Sequence, residues 1–172
     1  MQFLTSLEHT AFFAWVRQSP SLWAYPGLLF LHTVGLGLAV GASAAIDLRI
    51  LGAAPRVSLA PMQRLLPVMW LGFWINAATG AVLFIADATT KLANPAFPYK
   101  MGFIALAVMN VFLIKRYVFS DPALNTGPVP LFGKILASTS LFFWIGAITA
   151  GRLMAYLGQD SGAPEFINKI GG

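Results

Sequence analysis

Apolar residues dominate four long runs of the chain, at about residues 22–51, 66–88, 100–119 and 135–157. Each run supplies the roughly 20 apolar residues that a helix needs to cross a bilayer. The connections between them are short and rich in turn residues: Gly52-Ala53-Ala54-Pro55, Ala93-Asn94-Pro95 and Asn125-Thr126-Gly127-Pro128. Short connections make neighbouring helices antiparallel, so the pattern predicts an all-α, up-down-up-down four-helix bundle embedded in a membrane. Residues 1–19 differ. Phe3, Leu4, Leu7, Ala11, Phe12 and Trp15 recur at helical spacing among polar residues, which predicts an amphipathic helix lying in the membrane interface. Ser19-Pro20 and Tyr25-Pro26 bound the linker into the first span. The expected organisation is an interfacial helix over 1–19, a bundle over 20–158 and a polar tail over 159–172.

Composition agrees with the pattern. The chain of 172 residues is 58% hydrophobic and 10% charged, against about 25% charged in soluble domains, so it cannot cover a water-facing surface. The net charge of +5 comes from basic residues at the ends of the apolar runs, which fits membrane anchoring and argues against a nucleic-acid partner. There is no cysteine, which excludes disulfides, thiolate metal sites and a cysteine nucleophile. The N-terminus lacks the basic region of a signal peptide, and Glu8 and His9 interrupt its apolar stretch.

Six basic residues, Arg49, Arg56, Arg64, Lys115, Arg116 and Lys134, fall at the 1–2 and 3–4 loops; five, Arg17, Lys91, Lys100, Arg152 and Lys169, fall on the opposite side. The three arginines after the first span weight the orientation toward cytoplasmic 1–2 and 3–4 loops and both termini outside. Trp23, Tyr25, Tyr99 and Tyr156 then form an outer aromatic belt. Span 1 is crowded with small residues, and Gly37-x-x-x-Gly41 matches a close-packing pattern, used within the bundle or between two copies.

Ionisable groups inside a span are costly and mark function by default. His32 lies some eight residues into span 1, about 12 Å deep at 1.5 Å per residue. Gly72, Asn76, Gly80, Leu83 and Asp87 line one face of span 2, a small and polar stripe expected to look into the bundle. Ser138, Phe142, Ile145, Thr149 and Arg152 share a face of span 4, and Lys100 opens span 3 from the same side. His32, Asp87, Lys100 and Arg152 thus meet in the outer half, where Asp87 has Arg152 or Lys100 as possible partners. Asn76 and Asn110 suit interhelical hydrogen bonding. Asp47 and Arg49, at the cytoplasmic end, suit a mutual bridge or lipid headgroups.

His32 can take a proton, ligate a metal or ligate a haem iron. For haem b, a second axial ligand comes from His9, folding back over the bundle mouth, from a methionine, or from His32 of a second copy, or the iron stays five-coordinate; Lys100 and Arg152 are placed to neutralise propionates. For copper, His32 combines with Met101 and Met154. The sequence holds no Walker loop, dinucleotide fingerprint or zinc-protease motif.

The stretches S-P-S-L-W-A-Y-P-G-L-L-F-L-H-T-V-G-L-G-L-A-V-G, D-L-R-I-L-G, A-N-P-A-F-P-Y-K-M-G, L-A-V-M-N-V and A-G-R-L-M-A-Y together resemble an uncharacterised family of small bacterial inner-membrane proteins with four spans. More remotely, the layout is similar to CopD-type copper-resistance membrane proteins and small b-type cytochromes. The resemblance implies a bacterial inner-membrane location and hints at haem or copper; a histidine common after span 3 in the family is replaced here by Lys115-Arg116. Three functions are weighed. A haem- or metal-associated redox subunit comes first, then a structural or assembly subunit of a larger membrane complex, then a carrier for a small solute or proton. The expected partners are the bilayer, a second copy or other membrane subunits, and a stand-alone enzymatic activity is not indicated.

Overall fold

A computed structural model describes residues 6, 10–120 and 129–157 of the chain. They form six α-helices: α1 (Ala11–Gln18), α2 (Tyr25–Leu51), α3 (Leu65–Ile85), α4 (Ala88–Ala93), α5 (Ala96–Tyr117) and α6 (Leu131–Leu153). A 3₁₀ turn, Ala60–Arg64, leads into α3. Each of α2, α3, α5 and α6 is long and apolar enough to cross a bilayer; the chain is an all-α, multi-pass membrane protein built as a four-helix bundle.

Local chemistry sets where the helices begin and end. Pro26 sits in the first turn of α2, where its missing N–H is not needed. Gly52 stops α2 in the left-handed region, at φ 106°, which a side chain would disfavour. Arg49 then donates to the carbonyls of Val57 and Pro55, tying the following loop to the end of the helix.

The bundle is assembled as two tight pairs, α2 with α3 and α5 with α6, joined through α2 and α6. The first pair rests on glycine. A Cβ on Gly72 would lie 2.5 Å from the Ala39 nitrogen and 2.7 Å from the Gly35 oxygen, and one on Gly35 would lie 2.7 Å from the Asn76 nitrogen. The two backbones are therefore in direct contact, and without a side chain on either helix at this level dispersion between backbones holds the pair. Gly37 and Gly41, the pattern singled out by spacing, have nothing within 4 Å of an added Cβ. They do not pack inside the bundle; they are exposed, and Gly37 lies roughly 200° around the helix from the buried Gly35.

Between α3 and α5 the backbones stay apart, and rings span the gap: Trp70 with Phe112 (5.2 Å between centroids) and Phe84 stacked on Phe97 (5.1 Å). The apolar core concentrates at one end of the bundle, the Arg49 end, around Ile46, Ile50, Met69, Val111, Ile114 and Leu136. The other end, where His32 lies, has no comparable apolar cluster among the described residues.

α1 packs at the His32 end. Val16 is buried, and Arg17 donates to the Ala86 carbonyl at the end of α3 (3.4 Å). Phe12 and Trp15, expected on the helix's apolar face, point outward beside Trp23, Tyr25, Tyr99 and Tyr156, all exposed. His9 and the tail over 159–172 lie outside the described residues.

Candidate functional site

His32 projects from the second turn of α2 onto α3. Its Nδ1 is 3.0 Å from the Asn76 carbonyl oxygen and 3.1 Å from the Thr79 hydroxyl. A carbonyl only accepts, so Nδ1 carries the proton. Thr79 passes its own hydroxyl proton to the Ile75 carbonyl (2.6 Å) and is free to accept from the ring. The Asn76 side chain returns a bond, its Nδ2 donating to the His32 carbonyl at 2.8 Å. The ring lies against Gly80, where a Cβ would come within 3.0 Å of Cε1. A bond from Nδ1–H to a backbone carbonyl fixes the tautomer and leaves Nε2 as the bare nitrogen of the neutral imidazole. Nε2 has no hydrogen-bond partner among the described residues.

Lys100, in the first turns of α5, is half-buried and within electrostatic range of His32 and Lys91. Its aliphatic stem runs beside Gly151 of α6, whose added Cβ would meet Cε at 3.7 Å. Asn94 closes this end of the bundle: its Nδ2 donates to the Met154 carbonyl (3.0 Å), and its Oδ1 accepts from the Ala96 N–H (3.0 Å) at the start of α5.

The other residues of the expected constellation are placed differently. Asp87 pairs with Lys91, one turn along its own segment, at 3.5 Å, and Lys91 also donates to the Leu83 carbonyl (2.8 Å). The pairing with Lys100 or Arg152 gives way to this local one because α3 ends at Ile85 and α4 carries the chain sideways. Arg152 is exposed, as are Ser138, Phe142, Ile145 and Thr149. The face of span 4 that these five share looks outward, and the buried face carries Leu136, Ala137, Ser140, Trp144, Ala147 and Ala150. In lipid the outside is as apolar as the inside, so the small residues mark the packed face and the bulky ones the free face. Met101 is 49% exposed; Met154 is partly buried. No group of three or more His, Cys, Asp or Glu suited to a metal ion exists among the described residues.

Asp47 is the largest departure. It neither bridges to Arg49 nor reaches headgroups. It is 0% exposed, enclosed between α2 and α6. Its Oδ2 accepts from the Ser140 hydroxyl at 2.7 Å and from the Ser43 hydroxyl at 3.4 Å, and Ser43 in turn accepts from Trp144 Nε1 at 2.9 Å. Oδ1 has no partner. Sequence reasoning missed this network because its parts are about a hundred residues apart; the only local trace is Ser43 one turn before Asp47. Asn110, by contrast, takes the interhelical role expected of it, accepting from the Thr139 hydroxyl at 3.5 Å.

Comparisons with known proteins by family model, by sequence and by structure gave no match. The case for function therefore stands on this geometry.

Proposed function

We propose that the protein is a small subunit of a bacterial inner membrane that holds a haem b or a metal redox centre at the His32 end of the bundle and passes electrons to a partner. The observation that carries this reading is the bond from His32 Nδ1 to the Asn76 carbonyl. It fixes the ring and leaves Nε2 unprotonated and unbonded, the state an axial ligand requires. Gly80 leaves room for the imidazole ring itself, and the main apolar cluster of the described residues lies at the other end of the bundle. Haem, when bound, supplies the one-electron couple. This chain's part is to offer Nε2, to place the Lys100 ammonium near the site as a counter-charge for propionates, and to exclude water with the Phe84–Phe97 stack. The copper variant, with His32, Met101 and Met154, is less supported because Met101 sits on an outward face. The family resemblance supports the inner-membrane location, and the three arginines at the end of α2 support an arrangement with the His32 end outside.

The test is an absorption spectrum of protein purified in mild detergent, oxidised and dithionite-reduced, with metal analysis of the same sample. The expected result is a Soret band that shifts on reduction and is lost in His32→Ala. A colourless, metal-free protein, both in native membranes and after purification, would overturn the proposal. His32 would then be a packing residue joined reciprocally to Asn76, as an assembly subunit requires.

A further inference from the structure

At the opposite end of the molecule a cavity of about 430 Å³ opens between α3 and α5, within the size range of ligand sites. Leu66, Pro67 and Trp70 form one wall; Lys115, Phe119 and Ser120 form the other, and Gln63 lies at the mouth. It exists because α3 and α5 do not bring their backbones together, and the Trp70–Phe112 pair adjoins it at one helical level. Gln63 Nε2 donates to the Phe119 carbonyl (3.1 Å) and Ser120 donates to the Lys115 carbonyl (3.1 Å), so both stay at the mouth. The Lys115 ammonium has no acidic partner among the described residues. Arg64 and Arg116 lie at the same end, Arg116 over the Tyr117 ring. The sequence places two acids there, Asp47, which is buried, and Asp121, which lies outside the described residues.

We infer that this groove binds an anionic phospholipid of the surrounding bilayer, with its phosphate at Lys115 and the first part of an acyl chain between Leu66, Trp70 and Phe119. The groove has an apolar wall and a cationic, hydrogen-bonding mouth, the complement of an acidic lipid in both charge and shape. A zwitterionic lipid fills the wall equally well but gains less at the mouth.

Native mass spectrometry of the full chain, exchanged into detergent with equal amounts of phosphatidylglycerol and phosphatidylcholine, tests this. Retention of phosphatidylglycerol is expected to exceed that of phosphatidylcholine, and Lys115→Gln to lower the preference about fivefold, the ratio equivalent to ~1 kcal/mol per basic residue near an anionic surface. Ser120→Trp, which narrows the groove without changing charge, is expected to lower the retention of both lipids. Arg116→Gln, outside the groove, is expected to leave the preference nearly unchanged. All three positions are exposed, so folding is not at issue. Equal retention of the two lipids by the unmodified protein would overturn the inference. So would equal losses in Lys115→Gln and Arg116→Gln, which would reduce the effect to a general basic belt.

Discussion

The Ser140 hydroxyl on α6 donates to Oδ2 of Asp47 on α2 across 2.7 Å, and 93 residues of chain separate the two. This bond joins the two helix pairs, one turn before the end of α2. Asp47 is fully buried and its other oxygen is unpartnered, so it depends on Ser140 more than a surface carboxyl would. Ser140→Ala should therefore lower the thermal stability of the detergent-purified protein by about 1–2 kcal/mol. Trp144→Phe removes the donor to Ser43, about 0.5–1 kcal/mol from the bond, and also part of a ring that is buried. A melting temperature left unchanged by Ser140→Ala would show that the carboxyl is not the centre of the network.

Gly72 on α3 and Gly37 on α2 are two different kinds of glycine. An added methyl on Gly72 meets backbone atoms of Ala39 and Gly35, which cannot move aside as a side chain can. Gly72→Ala should cost about 3 kcal/mol, the upper end of overpacking effects. Gly37→Ala meets nothing and should be neutral, or stabilising by up to about 1 kcal/mol through helix propensity. Melting curves of the two variants side by side decide it; a destabilised Gly37→Ala protein would mean that this face is covered, by a second copy or another subunit.

The contrast shows what was legible in the sequence. The four spans could be read because bilayer thickness imposes a length, and length needs no knowledge of the fold. His32 and Asn76 stood out because a polar group inside an apolar run is rare, and they do face each other. The choice between Gly35 and Gly37 could not be made, because α2 is apolar all round and small residues occur on several of its faces. The same lack of contrast turned the polar-looking face of span 4 outward, with Phe142 61% and Ile145 62% exposed. Asp47 looked like a headgroup anchor because it sits beside Arg49 near a helix end; only the packing of α6 against α2 shows it to be enclosed.

The His32–Asn76 pair allows ligand chemistry and packing to be told apart. Nδ1 is held by the backbone carbonyl of Asn76, whereas the bond to the His32 carbonyl comes from the Asn76 side chain. Asn76→Ala should therefore lower stability by about 0.5–1.5 kcal/mol yet, if the protein holds the proposed cofactor, retain it at nearly full stoichiometry. His32→Ala should lose the cofactor. Gly80→Val should push the ring, since even a Cβ lies 3.0 Å from Cε1, and should reduce cofactor content with α2 and α3 still paired. Pigment-to-protein ratios measured together with melting temperatures distinguish the three. Cofactor loss in Asn76→Ala equal to that in His32→Ala would show that pairing of the helices, and not the free Nε2, governs retention.

If the proposed redox function holds, the orientation decides from which side a partner approaches, and the basic residues divide six to five. The weight lies in position: Arg49, Arg56 and Arg64 cluster around the first hairpin, and the first span usually dominates insertion. The chain has no cysteine, so single cysteines can be introduced without background. At residues 60 and 125, in the sequence's 1–2 and 3–4 connections, they should be shielded from an impermeant thiol reagent in intact cells and react only after permeabilisation. At residue 90, exposed in α4 at the His32 end, a cysteine should react directly. Labelling at 60 and 125 with protection at 90 would invert the protein, placing His32 and Lys100 toward the cytoplasm, so that electrons reaching Nε2-ligated haem would have to come from a cytoplasmic donor.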